Sequence, residues 1–157
     1  MKINKTNAMR ILDSMNINYD YMTYECEDGK IDGVSVAHKT GQNPEAVFKT
    51  LVAVGHSKEH YVFCIPVEYE LDLKKAAKAS NEKNIDMLPL KDLTKTTGYI
   101  RGGCSPIGMK KQFKTFIDES ATLQDKIFVS AGAIGMQIII APNDLIQTID
   151  ATYADII

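Results

Sequence analysis

The chain has 157 residues, of which 45% are hydrophobic and 24% are charged, and its formal net charge is -2. This length suits a single domain over residues 1–157, and these proportions are ordinary for globular proteins, which excludes a fibre or a disordered chain. The slightly acidic balance argues against a protein that binds long nucleic acids by their phosphates, so any contact with nucleic acid is expected to be local or assisted by a partner.

The sequence also narrows the compartment and the ligands. The first residues lack the apolar core of a signal peptide and no apolar run approaches membrane-spanning length, so we expect a cytoplasmic protein without a membrane partner. Three cysteines, Cys26, Cys64 and Cys104, cannot all pair. Neither they nor the histidines have the spacing of a metal site, so we predict reduced thiols and no metal. Dinucleotide and P-loop motifs are absent as well, and we predict no cofactor.

In the first half of the chain, an amphipathic helix is predicted over residues 6–16, because Thr6 and Asn7 can cap a run of apolar residues at helical spacing. The patterns that follow predict a strand at 19–24, an acidic loop at 25–33 and a helix at 35–40. A second short helix is predicted from Asn43, and it is followed by a hairpin of strands at 47–54 and 61–66. Lys49 lies on the first strand of this hairpin, between Phe48 and Thr50. It is either an edge lysine that points to solvent or a functional ammonium.

In the second half, Asp72 is predicted to cap a helix at 73–79 whose Lys74, Lys75 and Lys78 form either a solvated stripe or a contact for tRNA or a partner. The remaining patterns predict a strand or connection at 87–89, helices at 91–97 and 142–148, a helical turn at 119–123, and strands at 113–118, 126–130 and 137–141. Short strands outnumber long helices. We therefore expect an α/β domain with a mixed β-sheet, curled toward a barrel and surrounded by helices.

A glycine-rich stretch, residues 98–111, has a composition that favours a site over a packed core. Its glycines allow positive φ or close contact with a ligand, and Pro106 restricts the backbone in the middle of the turn. Exposed amides in such a loop can bind an anion or a developing oxyanion, and nearby Arg101, Lys110 and Lys111 suit a polyanionic partner. The alternative is a tight connection between strands.

Four segments, in this order and spacing, resemble the YbaK family of aminoacyl-tRNA deacylases. They are Val47-Phe-Lys-Thr-Leu51, Leu71-Asp-Leu-Lys-Lys-Ala-Ala-Lys-Ala79, Gly98-Tyr-Ile-Arg-Gly-Gly-Cys-Ser-Pro-Ile-Gly108 and Val129-Ser-Ala-Gly132. The resemblance covers nearly the whole chain. It implies the curled α/β fold, activity on Cys-tRNA(Pro) that has been mischarged by prolyl-tRNA synthetase, and two partners: the 3′ acceptor end of an aminoacyl-tRNA and prolyl-tRNA synthetase.

The resemblance also implies the site. By direct match to the family pattern it implies Lys49, Gly102, Pro106, Ser130 and Tyr24. The full set of predicted catalytic residues is Lys49, Gly102, Gly103, Cys104 and Ser105, and the predicted substrate-binding residues are Tyr24, Thr50, Pro106, Ser130, Gly132 and Gln137. This chain departs from the family pattern in two places, because Gln137 replaces a frequent aspartate and an aromatic residue near Asp32 is missing. These departures concern the range of amino acids more than the type of reaction.

An aminoacyl ester is already activated, so its cleavage needs an oriented carbonyl and a stabilised oxyanion more than a general base. Backbone amides from Gly102 to Ser105 can stabilise the oxyanion, and Lys49 can hold a phosphate or the terminal adenosine and polarise the ester. The resemblance implies that the thiol of the substrate attacks its own ester. A nucleophilic Cys104 thiol is the alternative, but no histidine lies in a recognisable partner motif.

Three functions follow from this sequence. The first is a trans-editing deacylase for Cys-tRNA(Pro), the second is the same enzyme with Ala-tRNA(Pro) as substrate, and the third is a non-catalytic module that binds tRNA or a synthetase. The second is motivated by Gln137, and the third by the acidic charge balance, which weakens independent tRNA binding.

Overall fold

The computed structural model describes residues 4–25, 29 and 33–157. Most of the acidic loop predicted at 25–33 lies outside these residues, as does Cys26. The helices are α1 (Asn7–Ser14), α2 (Gly33–Thr40), α3 (Leu73–Ser80), α4 (Leu93–Thr97) and α5 (Pro142–Ile149). The strands are β1 (Asp20–Thr23), β2 (Phe48–Gly55), β3 (His60–Pro66), β4 (Ile85–Met87), β5 (Lys114–Asp118), β6 (Ile127–Ser130), β7 (Met136–Ile140) and β8 (Thr152–Ala154). Three 3₁₀ turns span Pro44–Ala46, Leu90–Asp92 and Glu119–Leu123.

The helices begin and end at the residues that local chemistry favours. The Thr6 side chain accepts a hydrogen bond from the Met9 amide, and Asp72 accepts from two amides of the first turn of α3. Gly98 ends α4 with φ at 87°, a left-handed conformation that glycine adopts without steric cost. These predicted boundaries are confirmed. The helix expected from Asn43 is only a 3₁₀ turn, because β2 begins at Phe48 and leaves no room for a full α-helical turn.

The strands form two sheets. One is antiparallel, with the order β1-β7-β6, and the other is mixed, with the order β4-β2-β3-β5-β8 and parallel pairing of β3 with β5 and of β5 with β8. The predicted mixed α/β class is therefore confirmed. The sheets do not close into a barrel, because β1, β6, β4 and β8 remain edges of their sheets within the described residues. The sheets meet at one parallel bridge between Val47 and Phe128.

Strand β2 pairs along nearly its whole length on one side, but only along its last residues on the other side. Strand β3 pairs with β2 from Phe48 to Val54, whereas β4 pairs only with its last three residues, Ala53–Gly55. The first half of β2 therefore has an edge that no strand of its own sheet covers. Lys49 lies in this half.

Apolar side chains bury both faces of the mixed sheet. The larger cluster lies between this sheet, the antiparallel sheet and helices α1 and α5, and it includes Leu12, Val52 and Ile138. A second cluster under α3 stacks Phe63 on Phe116, with ring centroids 5.6 Å apart. Within the described ranges, no helix has the length and apolar content needed to cross a membrane.

The C-terminal strand β8 is absent from the sequence prediction. It contains three residues, too few to show an alternating pattern, and it pairs parallel to β5. A buried carboxylate holds the following residues in place, because Asp118 accepts hydrogen bonds from the amides of Ser120 at 3.0 Å and Ile156 at 3.2 Å. The tail is thus part of the mixed sheet.

Candidate functional site

A cavity of about 480 Å³ opens beside the uncovered half of β2. Residues from both sheets, from α2 and from the glycine-rich loop surround it. Its lining consists of Tyr24, Gly33, Val34, Val36, Val47, Phe48, Lys49, Thr50, Leu51, Val67, Arg101, Gly102, Cys104, Ser130 and Gln137. More of its walls are apolar than polar, and its polar groups come from five separate segments of the chain.

The bridge between the sheets brings Lys49 and Ser130 together. Val47 and Phe128 pair in parallel, so the chain leaves the bridge in the same direction on both sides. Lys49 is the second residue after Val47, and Ser130 is the second residue after Phe128. Both reach the cavity, although 81 positions separate them in the sequence.

Gln137 reaches the same cavity from the neighbouring strand. It pairs directly with Ser130 across β6 and β7, and cross-strand partners lie on the same face of a sheet. Its side chain is buried, with 5% of the residue surface exposed, and its Oε1 atom has no hydrogen-bond partner among the described residues. A buried acceptor without a partner costs free energy. Such an atom in a cavity wall is well suited to accept a hydrogen bond from a ligand.

The glycine-rich loop packs against the turn after β6. A Cβ atom on Gly103 would lie 3.1 Å from the Ile134 nitrogen, so any larger residue would push the two backbones apart by a few tenths of an ångström. Gly102 adopts φ of 84°. Neither the Gly102 nor the Cys104 amide donates to a backbone carbonyl among the described residues. Both residues line the cavity, so their amides are candidates for contacts with a ligand.

Four of the predicted site residues support this loop and do not line the cavity. The Gly103 amide donates to the Ile100 carbonyl at 3.0 Å and is therefore occupied, which corrects its predicted role as an oxyanion donor. Ser105 is fully buried and its hydroxyl accepts from the Ile107 amide, while Pro106 is buried beside it. Gly132 contacts the ring of Tyr99. These four residues are small or favour turns, which suits them to forming the loop. The same properties are typical of site residues, so the sequence does not distinguish the two roles.

The ammonium of Lys49 lies in a partly desolvated position. The residue is half-buried, and this desolvation lowers the pKa of its amine, although the negative charge of Glu70 partly opposes the effect. Lys49 lines a cavity, which supports the interpretation as a functional ammonium over that of an edge lysine pointing to solvent. Less water around the ammonium strengthens its interaction with a bound anion or carbonyl oxygen.

Cys104 lines the cavity and is largely buried. Burial raises its pKa to about 11, with a hydrogen bond to Thr97 acting weakly in the opposite direction. The loop amides therefore do not produce the lowered pKa of a reactive thiol. Cys64 is fully buried near Thr50, and burial raises its pKa to about 12. Neither thiol has the environment of a nucleophile.

The sequence prediction missed the apolar walls of the cavity. Val34 and Val36 of α2, together with Val67 and Phe48, have the pattern of ordinary core residues, and no sequence signal distinguishes them. Arg101, by contrast, was already indicated by the sequence as a residue suited to a polyanionic partner. It is exposed and lies at the wall of the cavity.

Known proteins share both this sequence pattern and this fold. The family described as aminoacyl-tRNA editing domain matches residues 32–148. An Enterococcus faecalis protein named as a Cys-tRNA(Pro)/Cys-tRNA(Cys) deacylase, EbsC, is 47% identical over 152 residues, which cover 97% of this chain and 93% of EbsC.

Two solved structures are similar in fold. The crystal structure of hypothetical protein APE2540 has a TM-score of 0.85 at 16% identity and covers 94% of this chain and 96% of its own. A structure named as a trans-editing enzyme for prolyl tRNA synthetase has a TM-score of 0.83 at 19% identity, with 98% of both chains covered. The family match extends over well over half of the chain, and the relatedness to EbsC covers almost all of it. The chain therefore belongs to the aminoacyl-tRNA editing domain family.

Proposed function

We propose that this protein is a trans-editing deacylase that clears mischarged Cys-tRNA(Pro) by cleaving its aminoacyl ester. One observation carries this proposal: a single cavity is lined by Lys49, whose ammonium is partly desolvated, and by Gly102 and Cys104, whose amides donate to no backbone carbonyl among the described residues. Family membership supports the ester of an aminoacyl-tRNA as the bond that is cleaved. The name of the related EbsC supports cysteine as the amino acid.

The groups around the cavity divide between binding the ester and stabilising its transition state. The amides of Gly102 and Cys104 donate to the carbonyl oxygen as it becomes an oxyanion, which requires no charged side chain. Lys49 holds the terminal adenosine or a phosphate and polarises the ester. Ser130, Tyr24 and Thr50 surround the substrate and limit its orientations.

The substrate thiol supplies the nucleophile in this mechanism. Its sulfur attacks the ester carbonyl of the same cysteine, a C–S bond forms, and the C–O bond to the terminal ribose breaks. The thiol proton ends on the departing ribose hydroxyl, so the products are a cyclic thiolactone and free tRNA. Because the reaction is intramolecular, the protein needs to orient the ester and needs no base of its own.

This chemistry explains selectivity better than the size of the cavity does. An apolar pocket distinguishes side chains that differ by one methylene by only about 1–3 kcal/mol. A reaction that requires a thiol excludes alanine and proline by chemistry. We further propose that prolyl-tRNA synthetase presents the mischarged tRNA, since the net charge of -2 provides little general attraction for nucleic acid.

The experiment that tests the function uses one purified protein and three esters. Cys-, Ala- and Pro-tRNA(Pro) are incubated separately with the protein, with and without prolyl-tRNA synthetase, and the remaining aminoacyl-tRNA is measured over time. We expect rapid loss of the cysteinyl ester and little loss of the prolyl ester. A folded sample that deacylates none of the three would contradict an enzyme and favour a binding module, and preferential loss of the alanyl ester would assign the substrate to alanine.

Replacing the Cys104 thiol distinguishes the two possible nucleophiles. Cys104→Ala keeps the backbone amide and removes a protonated thiol, so we expect kcat for Cys-tRNA(Pro) to fall less than about threefold. Removal of a true enzymic nucleophile would lower kcat by factors of about 10⁴ or more. Single-turnover rates of the wild type and the variant decide between these outcomes.

A further inference from the structure

Positive charge is concentrated in one segment of the chain. Residues 88–112 contain five lysines and arginines, Lys91, Lys95, Arg101, Lys110 and Lys111, and only one acidic residue, Asp92. The whole chain nevertheless has a net charge of -2, so the rest of the protein is clearly acidic. This segment includes the glycine-rich loop that forms one wall of the cavity.

The fold brings two of these lysines together near Gly98, and a third cation follows three residues later in the chain. The Lys110 Nζ atom donates to the Lys95 carbonyl at 3.4 Å, and the aliphatic part of Lys110 packs over Gly98, where a Cβ atom would lie 3.2 Å from its Cγ. Arg101 follows three residues after Gly98 and lines the cavity. We call Lys95, Arg101 and Lys110 the basic rim.

The basic rim is accessible to a large partner. The Lys95 side chain is 75% exposed, and its one acidic neighbour, Asp92, lies 2.8 Å from its ammonium. Lys110 and Arg101 are exposed, and no ion pair to either is found among the described residues. Beside Arg101, Ile100 is 54% exposed and offers an apolar surface on which a base can pack.

Resting on the proposed function, we propose that the basic rim binds phosphates of the acceptor end of the tRNA while the ester enters the cavity. Each bound phosphate releases condensed counterions, which gives a polyanion an affinity that depends on salt. The acidic remainder of the protein repels the same polyanion. Together these charges favour one orientation, in which the 3′ end points toward Lys49 and the rest of the tRNA stays outside.

The test separates binding of the tRNA from cleavage of the ester. The double variant Lys95→Gln/Lys110→Gln removes two charges of the rim and leaves the cavity lining intact. We expect it to raise KM for Cys-tRNA(Pro) about tenfold at low salt, and to reduce the slope of log KM against log salt by about 2, about one unit per lost phosphate contact. The kcat/KM for cysteinyl adenosine, an ester without phosphates, should remain within about twofold.

Two matched variants complete the experiment. Lys58→Gln/Lys83→Gln removes two exposed lysines outside the cavity lining and should leave KM unchanged. Lys95→Arg/Lys110→Arg keeps the charge and should restore tight binding. Equal KM and equal salt slopes in the two glutamine variants would overturn the proposal.

Binding of deacylated tRNA, measured by fluorescence anisotropy, tests the rim independently of catalysis. If the wild type cleaves no ester but the rim variant alone binds tRNA more weakly, the proposed function fails and the rim assignment stands. If the rim variant binds tRNA normally but loses stimulation by the synthetase, the rim contacts a protein and the assignment to tRNA is wrong.

Discussion

Lys49→Ala is expected to reduce kcat/KM for Cys-tRNA(Pro) by about 10²–10³, with most of the loss in kcat. The removed ammonium lies in a partly desolvated cavity, where one preorganised electrostatic contact to the transition state has a typical effect of this size. Single-turnover deacylation measures the effect, and Lys126→Ala, at an exposed lysine just before β6, is the matched control. A loss of less than about threefold would remove Lys49 from the mechanism.

The charge of Lys49 also predicts how activity and stability depend on pH. Desolvation lowers the pKa of this amine in the folded protein, so activity should decline with rising pH earlier than an ordinary lysine would require. Between the folded and the unfolded pKa, the unfolded chain binds more protons, so the contribution of Lys49 to stability improves as the pH rises. At neutral pH the charged form is disfavoured by folding. Lys49→Met should therefore keep or raise the melting temperature while it lowers activity, which separates function from folding.

Gln137→Met is expected to reduce kcat/KM for Cys-tRNA(Pro) by about 10- to 100-fold. The Oε1 atom of Gln137 has no partner among the described residues, and we propose that it accepts a hydrogen bond from the α-ammonium of the aminoacyl group. A hydrogen bond to a charged group is worth about 1.5–3 kcal/mol, which corresponds to this loss. Deacylation rates at saturating and limiting substrate show whether kcat or KM changes.

The free energy of unfolding distinguishes a role of Gln137 in substrate binding from a structural role. Met has a similar shape and removes a buried acceptor without a partner, so the free energy of unfolding should stay the same or rise by about 1 kcal/mol. The control is Gln147→Met, at an exposed position of α5, which should change neither quantity appreciably. Loss of stability in Gln137→Met, in proportion to the loss of activity, would show that the carboxamide supports the fold instead of the substrate.

Local chemistry made much of the fold predictable. Asp72 and Gly98 act within one helical turn of themselves, so the start of α3 and the end of α4 can be recognised without knowing the rest of the molecule. The β2–β3 hairpin is equally local, because its strands are adjacent in the chain. Strand β8 could not be predicted in this way, since three residues acquire their conformation from pairing with a distant strand.

The candidate site, like the fold, could be predicted from the sequence only in part. The amino-acid sequence by itself indicated the types of groups in the site, including Lys49 on its strand and the glycine-rich loop. Only the tertiary structure decided which of them meet, because the parallel bridge at Val47 and Phe128 aligns two segments that are far apart in the chain. The tertiary structure also places Gly103 and Ser105 in support of the loop. The Gly103 amide is used by a hydrogen bond within the turn, and Ser105 is completely buried. Glycine and serine are common both in turns and in binding sites, so their presence in the sequence does not distinguish the two. The direction of an amide or hydroxyl depends on contacts that form only when the chain folds.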